Sequence, residues 1–219
     1  MSHHYLLILS CLVCFFKLSA QENSMWITEG KSTELSLNIT NTLAGFFNSG
    51  GSGLSTDPYL IGIKAVKNKD ALRLGVGFKH RSKEENDEFL GTVLNTDETN
   101  VQFRIGGEKR IDLGKRFLLF YGGDIAFRYV QSDAILTSFP SDIVVKSWEA
   151  GLGAGPVLGA MFHLTPRISL STEAFLYGIA YEGEKKEPKD NVFEPVTTRF
   201  TGFDLVPALP SSLYIVVKF

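Results

Sequence analysis

The chain has 219 residues, and its 22 Lys and Arg against 24 Asp and Glu give a formal net charge of −2. That length fits one domain, or at most two small ones, and the balanced charge gives no basic surface for nucleic acid. A hydrophobic fraction of 44% with 21% charged residues excludes a disordered or collagen-like chain. The high content of Gly, at 21, and Phe, at 17, favours β-structure over a helix bundle.

The first twenty residues predict a cleaved signal peptide. Residues 5–16 carry no charge, and Lys17 and the small residues Ser19 and Ala20 follow. A transmembrane helix needs about 20 apolar residues, whereas a shorter run that ends in small residues is typical of a secretory signal. Residues 1–4 lack Lys and Arg, so a buried N-terminal helix is the alternative. We therefore expect a signal peptide over 1–20 and one domain over 21–219.

Both cysteines of the chain, Cys11 and Cys14, lie in this segment. Neither follows the Leu-small-small spacing of a bacterial lipoprotein signal, so we do not expect lipidation. The mature chain then has no disulfide and no cysteine metal site. An exported protein without disulfides needs another stabilising device, and a closed sheet is one.

From residue 31 onward, apolar residues recur at every second position, which predicts β-strands. The clearest segment sets Leu72, Leu74, Val76 and Phe78 against Arg73, Gly75, Gly77 and Lys79. The chain contains eight such segments, over 34–40, 58–66, 72–79, 101–106, 119–129, 148–158, 168–177 and 212–219.

The connections between these segments are alternately long and short. Short turns are predicted at 68–70, 109–115 and 162–167, and long loops at 44–57, 83–98, 131–146 and 183–201. Strands of about ten residues joined by short turns at one end and long loops at the other are the signature of membrane barrels. The predicted fold is all-β, an eight-stranded antiparallel up-and-down transmembrane β-barrel.

The two faces of the segments differ in polarity. One face is aliphatic and aromatic, as contact with lipid requires, and the other carries Gly, Ser and charges. The predicted interior charges are Arg73, Lys79, Arg104, Asp124, Arg128, Glu149 and Glu173. A soluble, lipocalin-like ligand-binding barrel would place the apolar face inside. The glycine-rich polar face and the aromatic residues Trp148, Tyr129, Phe117 and Phe219 at the ends of the apolar face favour the membrane.

The C-terminal segment carries a resemblance to a known family. Residues 213–219 read LYIVVKF, and GFDL occurs at 202–205. Together with the Ser19-Ala20-Gln21 junction, these resemble small outer-membrane β-barrel proteins of the Bacteroidota type, in the OmpA- and OmpX-like barrel class. The resemblance implies a Gram-negative outer-membrane location and contact with outer-membrane lipids. It also implies recognition by the barrel assembly machinery through Leu213, Ile215, Val217 and Phe219.

The interior charges allow two interpretations. They can form a small ion pathway or gate, or a structural plug of salt bridges. A lumen of eight strands has room only for side chains, and unpaired charges there are costly, so we expect the plug.

His80, Ser82 and the following Glu84 and Glu85 are the one hint of catalysis. A base, a hydroxyl and a carboxylate at a membrane rim loosely resemble the His-x-Ser arrangement of lipid A deacylases. A polar rim where the strand leaves the bilayer explains the same residues, and we favour it because short motifs match often by chance.

Other site chemistry finds no support in the sequence. The glycines of residues 151–155 lack the order of a phosphate-binding loop and are expected to make room for bulky side chains across the lumen. Metal ligands at paired spacing are absent from the mature sequence, and no cofactor is expected. We therefore expect a structural or adhesive surface role without catalysis, with any extracellular ligand unidentified. A lipid-modifying enzyme and a narrow small-solute channel are the alternatives.

Overall fold

A computed structural model describes residues 30–40, 58–87, 92–137, 143–188, 196–210 and 212–219. The predicted signal peptide and the predicted loop at 44–57 lie outside these residues. Within the described ranges, no helix is long and apolar enough to span a membrane.

The regular secondary structure of the described residues consists of nine β-strands. Their bounds are β1 Lys31–Asn38, β2 Ile61–Lys67, β3 Asp70–Asp87, β4 Thr92–Asp112, β5 Phe117–Thr137, β6 Ile143–His163, β7 Ile168–Glu187, β8 Val196–Ala208 and β9 Tyr214–Lys218. Two-fold alternation of apolar and small or polar residues explains why these segments are strands rather than helices.

These strands close into a ring. Each of β1 to β6 pairs antiparallel with the next strand in sequence. Both β8 and β9 pair with β7, and β9 pairs with β1, so β8 and β9 are two parts of one eighth strand. The predicted eight-stranded antiparallel up-and-down barrel is confirmed.

The pairing register shows how strongly the strands are staggered. A circuit of paired residues from Leu35 around the ring reaches β7 at Gly178. Leu35 also pairs with Val217, whose own partner on β7 is Ile168. The two routes from Leu35 around the ring thus reach β7 at positions ten residues apart, Gly178 and Ile168. Such a stagger tilts the strands of a barrel by about 35–45° from its axis.

The eighth strand contains a bulge. On β7, Ser171 and Phe175 are four residues apart, but their partners Tyr214 and Ala208 are six residues apart. The two additional residues lie in the segment that includes Leu209 and Pro210.

The prediction of one continuous loop over 183–201, followed by a strand from 212, is wrong, because β7 runs to 187 and β8 begins at 196.

Two other predicted loops are also largely strand. Residues 83–98 belong to β3 up to Asp87 and to β4 from Thr92, and residues 131–146 belong to β5 up to Thr137 and to β6 from Ile143. The sequence concealed these extensions because the regular apolar alternation stops there while the backbone ladder continues: residues 80–87 are all polar, and the apolar residues of 134–136 and 143–145 are consecutive instead of alternating. At the other end, β4 continues to Asp112, beyond the predicted turn start at 109.

Candidate functional site

The lumen is filled by a network of charged side chains centred on Arg73. Its guanidinium lies 2.8 Å from a Glu173 carboxylate oxygen, 3.3 Å from Asp124 and 3.4 Å from Glu108. Arg104 forms ion pairs with the same Glu173 and Asp124. All five side chains are buried. Because each is removed from water, the charges are tolerated only through their mutual pairing.

Glycines on the neighbouring strands make room for these charges. Gly75 is paired with Arg104 in the β3–β4 register, and a Cβ at Gly75 would lie 2.8 Å from the Arg104 Cγ. Gly106 is paired with Asp124, and a Cβ there would overlap the Asp124 carboxylate. Long charged side chains therefore lie flat over the backbone of the adjacent strand, which only glycine permits.

The network continues toward the short-turn end of the barrel. Glu108 accepts from Lys64 at 2.8 Å and pairs with Arg110 at 2.9 Å, and Arg110 donates to both oxygens of Glu34 at 2.6 and 2.7 Å. The connected network contains four cations and four carboxylates: Lys64, Arg73, Arg104 and Arg110, with Glu34, Glu108, Asp124 and Glu173. Its formal charge is zero.

Aromatic side chains cover the network inside the lumen. The Tyr59 ring lies 4.0 Å from the Arg104 guanidinium, and the Phe120 ring lies 4.0 Å from the Lys64 ammonium. Tyr177 donates a 2.6 Å hydrogen bond to Asp124 and stacks on Phe175 at 4.3 Å between ring centres. These cation–π and stacking contacts supply attraction where water is excluded.

The remaining space beside the network is small. A cavity bordered by Ser36, Lys64, Arg73, Glu173 and Tyr214 has a volume of about 10 Å³. That volume is the lower limit for one water molecule. This cavity therefore has no room for a solute larger than water.

The structure separates the seven predicted interior charges into three groups. Arg73, Arg104, Asp124 and Glu173 join the network just described. Arg128 and Glu149 form a second, half-buried cluster nearer the long-hairpin end, which also contains Asp204 at 2.8 Å from Arg128. Lys79 is exposed and takes no part in either cluster, which corrects its placement in the interior. It lies on the inward side of β3, but beyond Val76, the last β3 residue that pairs with β2.

Four members of the central network were missed in the sequence: Glu34, Lys64, Glu108 and Arg110. Glu34 and Lys64 alternate with apolar residues, so their position in the pattern does indicate the interior. Arg110 was hidden because the charged stretch from Lys109 to Lys115 has the composition of a turn, and Glu108 lies between this stretch and the end of the predicted strand at 106.

Among the described residues, no hydrogen bond joins His80 to Ser82. The His80 Nδ1 atom lies 3.0 Å from the Thr99 hydroxyl on β4. Ser82 is paired with Asp97 in the register, and both residues are exposed. His80 thus uses a ring nitrogen to hold the neighbouring strand, in keeping with a polar rim.

The glycines between 151 and 155 face β7. A Cβ at Gly153 would lie 2.7 Å from the Ile179 side chain, and one at Gly155 would lie 3.0 Å from the Tyr177 Cα. They make room for bulky residues, as expected, but those residues belong to the adjacent strand rather than to the opposite wall. Within the described ranges, no three His, Cys, Asp or Glu side chains are arranged to hold a metal ion.

The outer surface of the barrel is an apolar belt. Large apolar side chains on it are 40–66% exposed. Members from strands β1 to β8 are Leu35, Ile63, Leu74, Phe103, Ile105, Ile125, Phe127, Leu152, Leu176, Phe203 and Leu205. Phe117 and Phe219 lie at the short-turn end of this belt, and Tyr129 and Trp148 at the opposite end.

The C-terminal residues contribute to the same belt. Leu213, Ile215 and Val217 alternate with the buried Ser212, Tyr214 and Val216, and Phe219 is exposed. β9 thus presents Ile215 and Val217 on the outer surface, while Tyr214 and Val216 join the buried apolar cluster inside. Recognition of this strand by an assembly machinery stays a prediction.

No known protein family matches the sequence, and no curated protein is similar to it. Among solved structures, a major outer membrane protein from Thermus thermophilus is 14% identical, with a TM-score of 0.40 over 86% of this chain and 98% of that one. CarO of Acinetobacter baumannii is 11% identical, with a TM-score of 0.34 over 90% of this chain and 99% of that one. Neither likeness carries an argument about function, and the resemblance to Bacteroidota proteins stays a prediction.

Proposed function

We propose that the chain is an integral outer-membrane β-barrel that displays long β-hairpins and has a structural or surface-interaction role, without catalysis or solute conduction. The observation that carries this proposal is the apolar outer surface of a barrel whose lumen contains paired charges. Charged side chains are buried in the lumen beside apolar ones such as Phe120, Val157 and Met161, and large apolar side chains cover the outside. A soluble barrel would expose these apolar residues to water, whereas in a bilayer they contact acyl chains.

The closed wall supports membrane insertion as well. In lipid, every backbone N–H and C=O group must find a partner within the protein, and a ring without edges provides this. The pairing of β9 with β1 completes such a ring. The filled lumen argues against conduction, because the salt bridges and the Tyr59 and Phe120 rings occupy its cross-section.

The length of the strands supports a role outside the bilayer. β5 and β6 have 21 residues each, and at about 3.3 Å per residue with a tilt of about 40° they rise roughly 50 Å. The apolar band of a membrane barrel is only about 25 Å tall. Hairpins of β3 to β8 therefore project beyond the lipid, where their polar faces can contact partners.

Cell fractionation tests this proposal. We expect the protein in the outer-membrane fraction, and we expect its mobility in SDS gels to change on boiling, because a closed barrel resists SDS until heated. Planar-bilayer recordings of the refolded protein should show no stepwise conductance. A soluble periplasmic protein without a mobility change would contradict the proposal and favour the lipocalin-like alternative. Regular conductance steps would favour the channel.

A second prediction concerns the lipid-modifying alternative. Expression of the wild type should leave the acylation of lipid A unchanged, and His80→Ala and Ser82→Ala should behave identically to it. The reason is that the His80 ring bonds to Thr99. Mass spectrometry of extracted lipid A measures the outcome. Loss of an acyl chain with the wild type, absent with both variants, would establish the enzyme instead.

A further inference from the structure

The two ends of the barrel differ in charge. At the short-turn end, seven exposed basic side chains stand against two exposed acidic ones, Asp70 and Asp112, among the described residues. The basic residues are Lys31, Lys67, Lys69, Lys109, Lys115, Arg116 and Arg167. The central lumen network has equal numbers of cations and carboxylates and offsets none of this excess. The whole chain is nevertheless slightly acidic, with a net charge of −2.

The cations at the long-hairpin end, by contrast, are largely neutralised. Lys83 pairs with Glu85, Lys185 with Glu187 at 2.6 Å, and Lys186 with Glu184 at 3.4 Å. Arg199 lies 3.7 Å from the same Glu184. The unbalanced positive charge is therefore a property of the short-turn end.

Three lysines at this end lie on the lipid-facing side of their strands. Lys31 is four residues from Leu35 on β1, Lys67 is four from Ile63 on β2, and Lys109 is four from Ile105 on β4. Residues separated by an even number along a strand share a face. These ammonium groups thus project outward at the border of the apolar belt, where their stems can lie along the apolar surface and their charges reach the headgroups.

The register adds a second observation. Lys31 and Lys67 are directly opposite each other on β1 and β2. Like charges directly opposite on one face of a sheet destabilise the pairing. Asp70 lies directly opposite Lys67 on one side and Lys109 on the other, but none of the described salt bridges joins it to either lysine. This row across the sheet therefore holds three lysines against one carboxylate, and an anion outside the protein would offset the remaining positive charge.

We propose that the short-turn end binds the phosphate headgroups of anionic phospholipids in the membrane leaflet that surrounds it. This inference rests on the membrane insertion proposed above. Lys31, Lys67 and Lys109 project sideways from the wall, toward the surrounding lipid. A protein or wall polymer beyond the short-turn end would instead contact the tips of the turns, so the direction of these lysines favours lipid. Each cation near an anionic surface raises the association constant for the lipid on the order of a few-fold.

Lipid selectivity measured by electron spin resonance tests the inference. The full mature barrel is reconstituted in phosphatidylcholine vesicles with spin-labelled phosphatidylglycerol or spin-labelled phosphatidylcholine. We expect a preference for phosphatidylglycerol of roughly threefold or more, which high salt, about 0.5 M NaCl, reduces. The variant with Lys31, Lys67, Lys69 and Lys109 changed to Gln should lose most of this preference.

The matched control removes the same charge from the other end, with Lys79, Lys83, Lys146 and Lys186 changed to Gln, and should keep the wild-type preference. Equal losses in both variants, or a wild type without preference, would overturn the inference. The cations would then be assigned to the wall polymer if the detergent-solubilised barrel bound purified peptidoglycan and only the variant at Lys31, Lys67, Lys69 and Lys109 lost this binding. A protein that does not insert into the vesicles and shows no heat-dependent gel shift would contradict membrane insertion itself. This outcome is distinguishable from an inserted barrel without lipid selectivity.

Discussion

Replacing Arg73 with Met should destabilise the barrel by about 3–5 kcal/mol, since removal of one partner leaves buried charge uncompensated. Arg73 contacts Glu108, Asp124 and Glu173, and its side chain is 1% exposed. Without it, the network holds four carboxylates against three cations. The measurement is urea-induced unfolding of the refolded protein in lipid vesicles, followed by tryptophan fluorescence.

The control for this experiment is Lys79→Met, which makes a similar change of size and the same change of charge on the same strand. Because Lys79 is exposed, we expect its free energy of unfolding to stay within about 0.5 kcal/mol of the wild type. Arg73→Lys keeps the charge, but a single ammonium group cannot reproduce the fork that contacts three carboxylates, so its stability should lie between the two. An Arg73→Met barrel as stable as the wild type would show that the network contributes nothing to stability.

Gly155→Ala is expected to cost about 3 kcal/mol of stability through overpacking. A Cβ at this position would overlap the carbonyl group of Leu176 and lie 3.0 Å from the Tyr177 Cα. These are backbone atoms of the neighbouring strand, so relief requires β6 and β7 to move apart. The same urea titration measures the effect, with the folded fraction on unboiled gels as a second readout.

Gly123→Ala is the matched control, because it adds the same methyl group to the adjacent strand. Gly123 faces outward, and its nearest neighbour for a new Cβ is the Gly155 carbonyl oxygen at 3.5 Å, an ordinary contact. This variant should unfold within about 0.5 kcal/mol of the wild type. Equal stability of both variants would mean that the strands tolerate the extra atom and that the close approach at Gly155 is not a constraint.

The sequence predicted the ring well because the central part of most strands has one face of large apolar residues and another that carries Gly, Ser or charges. Arg73, Arg104, Asp124 and Glu173 were assigned to the lumen by this alternation alone. The alternation stops above the apolar belt, where His80 to Asp87 pair with β4 although both of their faces are polar. Backbone hydrogen bonding between strands does not require apolar side chains, so these extensions have the composition of loops.

Two further differences have local physical causes. The composition of residues 109–115 is that of a turn, which concealed Arg110 inside β4. Pro207 and Pro210, with a charged stretch before them, made β8 resemble a loop, because proline donates no hydrogen bond to a ladder. Pairing partners across the lumen, such as Arg73 with Glu173 a hundred residues away, depend on closure and stagger. These quantities follow from the assembled ring and not from any one segment.

The bulge in the eighth strand has a consequence for how the ring can open. It divides the last strand, so that only the short β9 joins β1, through five residue pairs from Glu34–Lys218 to Asn38–Tyr214 within the described residues. β5 and β6 are joined through twenty pairs, from Phe117–Phe162 to Leu136–Ile143. With β8 and β9 counted as one strand, the seam between the first and last strands therefore has the fewest paired residues in the described wall, five against seven for β1–β2 and for β2–β3. Transient separation of the wall would begin at that seam and extend sideways into the bilayer, while the neutral salt-bridged lumen stayed closed along the barrel axis.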